Sequence, residues 1–155
     1  MDSSRDRGSD DELIRSALAR ARFLATGLSA GLLGLLAISR VIDRPPSATM
    51  FAAPMALAGI ISPVVAYRLY AWIQSLVRPE AGLRERCGAF MKANIIAFSV
   101  SAGVGLCGVA VFLFTGSLQA LIGVVTHVIV AGALWPIPER MERFLETEPS
   151  EREEG

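Results

Sequence analysis

ANIIAFSVSAGVGLCGVAVFLFTGSLQALIGVVTHVIVAGALWPIP, residues 93–138, is a run of 46 residues without a single Asp, Glu, Lys or Arg. A hydrocarbon layer about 30 Å thick is crossed by roughly 20 apolar residues rising about 1.5 Å each. The run is therefore long enough for two crossings, and Thr115-Gly116-Ser117 near its middle is the place to turn. Outward from it, residues 45–67 and 23–39 are also free of charge, over 23 and 17 positions. The second of these spans if Arg22 and Arg40 extend their heads towards the interface. The expected fold is all-α and integral to a membrane: four transmembrane helices at about 23–39, 48–67, 93–114 and 117–137, arranged as two tandem α-hairpins. This domain, residues 13–144, is expected between disordered polar tails at 1–12 and 145–155.

Basic residues fix the expected orientation, because positively charged loops resist translocation. The first tail, the middle loop and the last tail hold thirteen of them, from Arg5 to Arg22, from Arg68 to Lys92, and from Arg140 to Arg152; Arg40 and Arg44 alone fall on the other side. Both termini are therefore expected in the cytoplasm. Fourteen arginines against one lysine read as a GC-rich, bacterial composition, which would place the spans in a cytoplasmic (inner) membrane. The first span is read as retained, not as a cleavable leader, since Asp10, Asp11 and Glu12 precede it and its apolar run is long. Acids and bases are mixed, giving a net charge of +0, so no polyanion-binding patch is present and nucleic acid is not an expected partner. Cys87 and Cys107 lie at different depths, which excludes a disulfide framework.

Leu13, Ile14, Leu18 and Ala21 recur at helical spacing beside arginines and read as an extension of the first helix. Arg78-Pro79-Glu80-Ala81-Gly82 breaks the middle loop, and 83–92 is expected as a short interfacial helix. Tyr67, Tyr70, Trp72 and Trp135 fall at the expected boundary and read as interfacial anchors. Pro54 and Pro63 are expected to kink the second helix, and Trp135-Pro136-Ile137-Pro138 to stop the fourth.

The second and fourth helices align without a gap. Ala56-Leu57-Ala58-Gly59-Ile60-Ile61-Ser62-Pro63-Val64-Val65 matches Ala120-Leu121-Ile122-Gly123-Val124-Val125-Thr126-His127-Val128-Ile129, and the first and third share Ser29-Ala30-Gly31 and Ser101-Ala102-Gly103. A duplicated hairpin, with parallel repeats, is the expected unit of construction.

Small residues at helical spacing let backbones approach closely in lipid. Gly27, Gly31 and Gly34 in the first helix, and Ser101, Gly105 and Gly108 with Ala97 in the third, are therefore expected to pack helices together, within the chain or between copies. Gly103-Val104-Gly105-Leu106-Cys107-Gly108 formally spells a dinucleotide fingerprint, but it lies mid-span with no strand before it and no water-facing helix start. His127, with Thr126 beside it and Gln119 two turns before, is the one histidine and the leading functional candidate, since an ionisable group inside a span calls for a role. A proton relay, a metal ligand or a haem ligand are open to it. The structural alternative is a neutral imidazole hydrogen-bonded to a neighbouring helix. No second histidine or acid shares the spans to complete a ligand set, so no cofactor is expected.

The run Ser101-Ala102-Gly103-Val104-Gly105-Leu106-Cys107-Gly108-Val109-Ala110-Val111 within two tandem small-residue-rich hairpins resembles the proteolipid subunits of rotary ATPase rings, and the whole is similar to small bacterial four-helix membrane proteins. The proteolipid resemblance covers the second hairpin and implies an ion-carrying helix. The buried carboxylate that such a helix needs has no counterpart around Ala102. The expected function is thus noncatalytic: a small structural, assembly or accessory subunit in contact with the bilayer, a homo-oligomer or part of a larger membrane complex. The competing expectation is an oligomeric transporter or channel using His127 and the kinked second helix.

Overall fold

A computed structural model describes residues 3–39, 49–78 and 81–146; the side chains of 3–9, 39 and 49 are outside the description. Of the two tails expected to be disordered, residues 3–12 are instead the first turns of α1 and residues 145 and 146 end α5, while 147–155 and both basic residues of the first connection lie outside the described residues. Five helices follow one another: α1 (Ser3–Ser39), α2 (Ala52–Ser75), α3 (Leu83–Thr115), α4 (Ile122–Leu134) and α5 (Pro138–Glu146). Single 3-10 turns, Thr49–Phe51 and Leu118–Leu121, lead into α2 and α4. No strand occurs among the described residues.

α1, α2 and α3 are long and apolar enough to cross a membrane, and a fourth crossing results if Leu118–Leu134 is joined to α5 across a bend of 61°. The side-chain distribution fits a hydrocarbon solvent. Phe23, Leu57, Val64, Phe114 and Ile129 face outward, whereas the interior is built from Ala25, Ala52, Ala66, Ala97, Ala102 and Ala120 with glycine and serine. In lipid, burying a large apolar chain gains little and close backbone contact gains more, so small residues share the inside with a few large ones such as Leu32, Phe98 and Phe112.

α3 is the central element. Of its most apolar window 44% is buried, against 17% for those of α1 and α2. It packs on α1, α2 and α4, and α2 also packs on α4, whereas α1 and α2 scarcely meet. The first hairpin expected from the sequence is therefore not a packed unit; α3 stands between its two members. The reason is the close-packing surface: α2 presents Gly59 to α4, and α1 has no contact of that kind to offer α2.

The expected turn at Thr115-Gly116-Ser117 is observed. Gly116 adopts a φ of +68°, its amide donates to Phe112 O at 2.8 Å, and the Ser117 amide donates to Thr115 Oγ1 at 3.2 Å. Glycine suits this helix end because a side chain there would be strained.

Three expectations change. The segment 83–92 is not a separate interfacial helix but the first turns of α3, which begins after Gly82 and runs unbroken. Pro54 sits in the first turn of α2, where its missing N–H has no helical partner to lose, so it does not kink the helix. Tyr70 and Trp135 turn inward against the cluster of Ala66, Phe98 and Leu134, leaving Tyr67 and Trp72 exposed at the arginine-rich end.

At that end the charged extensions form a second core. Leu18 of α1, Cys87 and Phe90 of α3 and Met141 and Phe144 of α5 are buried together, with Phe90 and Phe144 rings 5.9 Å apart. Within α5, Met141 and Phe144 recur at the i, i+3 spacing that puts both on one face, while the acids and arginines take the other. Arg22 Nε donates to Pro136 O at 2.9 Å, and Arg86 donates from a terminal nitrogen to Leu145 O at 2.8 Å and from Nε to Ala81 O at 3.2 Å. These arginines meet carbonyls at helix ends and breaks, which would otherwise lack donors.

Candidate functional site

Four polar side chains gather around His127. α4 carries Thr126 and His127 side by side; α1 supplies Ser29, α3 supplies Ser101 and α2 supplies Ser62. His127 is 1% exposed and Ser101 is fully buried. Ser29 Oγ lies 3.1 Å from His127 Nε2, and Ser101 Oγ lies 2.9 Å from Nδ1. The Phe98 ring stands edge-on to the imidazole at 6.3 Å between centroids.

The hydrogen-bond network assigns the tautomer. A neutral imidazole has one donor and one acceptor. Ser101 Oγ donates to Phe98 O at 3.1 Å, so its only hydroxyl proton is engaged and it accepts from Nδ1–H. Nε2 is then the acceptor, and Ser29 Oγ, which has no other partner among the described residues, donates to it. A one-way chain results: Ser29 to His127 to Ser101 to the Phe98 carbonyl, joining α1, α4 and α3.

The second half of the cluster repairs a backbone defect. Pro63 has no N–H, so the Gly59 carbonyl four residues earlier loses its helical donor. Ser62 Oγ donates to that carbonyl at 3.0 Å, and α2 continues through the proline. An unmatched carbonyl inside hydrocarbon is costly, and a neighbouring hydroxyl removes the cost. Ser62 Oγ also lies 3.4 Å from Thr126 Oγ1, which itself donates to Gly123 O at 3.1 Å.

Below this pair the helices meet backbone to backbone. A Cβ on Gly59 would lie 2.7 Å from the Gly123 nitrogen, and a Cβ on Gly123 would lie 3.0 Å from Val104 O. Gly59 and Gly123, like Ser62 and Thr126, are equivalent positions in the aligned stretches of α2 and α4.

The expected packing residues divide. A Cβ on Gly105 would meet Leu32 of α1 at 2.8 Å and Gly123 O at 3.3 Å, and one on Gly108 would press on the Ala120 carbonyl oxygen. Ser101 serves the imidazole. Gly27, Gly31 and Gly34 meet no described residue of this chain, with nothing within 4 Å of a Cβ built on any of them, because α1 turns Ala25 and Leu32 inward and its glycines outward; of the two expected uses, packing within the chain and packing between copies, the first is not seen. Gln119 is exposed. Ser29, Ser62, Gly59 and Gly123 complete the site, and their signal was present in the aligned stretches, where each pairs with a polar or glycine residue.

Elsewhere, Asn94 is 1% exposed; its Nδ2 donates to Phe90 O at 2.9 Å while its Oδ1 has no partner among the described residues. Among the described residues no three of His, Cys, Asp and Glu come close enough together to hold a metal ion.

No protein-family model matches the chain, and no curated protein and no solved structure proves similar to it.

Proposed function

We propose that this chain is a noncatalytic structural, assembly or accessory subunit of a membrane complex, with His127 as a cross-link between helices. The observation that carries this reading is that both imidazole nitrogens are already engaged by serine hydroxyls of two other helices. An imidazole so held has no lone pair or proton directed at a substrate. The reading places four crossings in a bacterial cytoplasmic membrane with both termini and the arginine-rich core in the cytoplasm, in keeping with the basic-residue asymmetry. Its partners would be further copies or a larger membrane protein, and the outward glycines of α1 offer a face of the right kind.

A second reading, an oligomeric small transporter or channel using His127 and the second helix at Pro63, is favoured by the polar cluster that joins all four apolar helices. Native mass spectrometry of the protein extracted gently from its own membrane separates the two. Copurification at fixed stoichiometry with a larger complex supports the accessory role. A closed homo-oligomer without partners, together with proton flux in vesicles that His127→Leu abolishes, supports the carrier.

A further inference from the structure

Two depressions lie along the outer seam between α1 and α3 and share Arg20 and Met91. One, of about 350 Å³, is at the arginine-rich end, with Ser16, Arg20 and Arg84 in its wall. The other, of about 580 Å³, continues towards the apolar segments and is walled by Phe23, Leu24, Met91 and Ile95, with Arg20 at its mouth. The change in lining coincides with the change in sequence. Phe23 follows Arg22 and Ala93 follows Lys92, so both helices enter their uncharged stretches at this level.

Arg20 and Arg84 are exposed, and neither makes a hydrogen bond or ion pair among the described residues. Asp10, whose charge reaches Cys87, sits ten residues before Arg20 on α1, about 15 Å along the helix. The groove thus holds two exposed arginines at the level of the headgroups, with Asp10 near its Cys87 wall, and an apolar channel behind them. A ligand that matches both must carry an anionic head and a hydrocarbon tail in that order.

We propose that this groove is a binding site for one anionic glycerophospholipid. Its phosphate lies between Arg20 and Arg84, and one acyl chain lies along Phe23, Leu24, Met91 and Ile95. Guanidinium groups suit the phosphate because their donors are fixed in a fork. The assignment requires that α1 and α3 cross a membrane but is independent of the role given to His127.

The test is native mass spectrometry of the full-length protein in neutral detergent, titrated with phosphatidylglycerol or with phosphatidylcholine of the same acyl chains. One phosphatidylglycerol should be retained at roughly 25-fold lower concentration than phosphatidylcholine, with Arg20→Gln and Arg84→Gln each costing about fivefold of that preference, the usual scale of one basic contact with an anionic lipid. Both residues are exposed and unbonded, so these variants keep the fold. Arg68→Gln, on the exposed face of α2, should change nothing, and Met91→Trp, which fills the channel, should weaken both lipids. Equal retention of the two lipids, or an Arg68→Gln loss as large as that of Arg20→Gln, overturns the proposal. So does displacement of the lipid by inorganic phosphate alone, or occupation of the seam by a second copy with no lipid bound.

Discussion

Gly59 and Gly123 bring α2 and α4 into backbone contact, leaving 2.7 Å between a Cβ on the first and the amide nitrogen of the second. The atom in the way belongs to a helix backbone, so no rotamer change can relieve it. Gly59→Ala should therefore separate the helices and destabilise the protein by about 1–3 kcal/mol, as overpacking of a tight interior does. Gly31→Ala, on the open face of α1, should stay within about 0.5 kcal/mol of the parent. Unfolding in graded dodecyl sulfate followed by circular dichroism measures both, and equal losses would refute the placement of the two glycines.

Gly105 and Gly108 lie on one face of α3 but meet different obstacles. The nearest is the terminal methyl of Leu32 in one case and the Ala120 carbonyl oxygen in the other. A leucine end can swing aside, whereas a carbonyl moves only with its helix. Gly108→Ala should cost at least twice what Gly105→Ala costs in the same assay.

As the only histidine in the chain, His127 gives one resolvable set of imidazole resonances. Nitrogen NMR of the protein labelled at histidine should show Nδ1 protonated and Nε2 bare, and an Nε2–H signal would reverse the assigned chain of donors. In a double-mutant cycle, His127→Leu and Ser101→Ala should be coupled by about 0.6 kcal/mol and no more than about 1.7, the range found for hydrogen bonds between membrane helices.

Phe144 holds α5 against Phe90 and is 7% exposed. Phe144→Ala should cost about 3 kcal/mol of local stability, at the lower end for a buried ring. Its readout is proteolysis: trypsin should cut after Arg140 and Arg143 at least tenfold faster while the apolar helices stay intact, and unchanged cutting would show that α5 is held by other means.

Whether Leu118–Leu134 crosses the bilayer is decided by accessibility. In a cysteine-free background, Ser117→Cys and Glu142→Cys should react with an impermeant maleimide from opposite faces of sealed vesicles. Labelling of both from one face would reduce the crossings to three.

The charge-free runs made the helices legible. Absence of Asp, Glu, Lys and Arg over 46 residues has few readings other than apolar spans, and Thr115-Gly116-Ser117 was the one polar place to turn within them. Adjacency of the helices was not legible. Gly27, Gly31 and Gly34 satisfy the spacing for close approach as well as Gly105 and Gly108 do, and spacing does not reveal which face a helix turns inward. The core of the charged extensions was hidden for another reason: Cys87, Phe90, Met141 and Phe144 are scattered among charges and make a core only when α1, α3 and α5 meet. His127 and Thr126 were visible as oddities in an apolar run. Their partners Ser29 and Ser62 were visible only as matched positions in the aligned stretches and not as partners, since a serine in a span bonds its own helix as readily as a neighbour.

The central place of α3 has a consequence for the order in which the protein comes into being. Synthesis delivers the N-terminus first, so α1 and α2 are laid down before the one helix on which both pack. Until residues 83–115 emerge, the nascent chain holds two helices with almost no surface in common, and the Gly59 backbone waits still longer for Gly123. A product broken off in the middle connection is thus an unmated pair, lacking the helix on which both of its members pack.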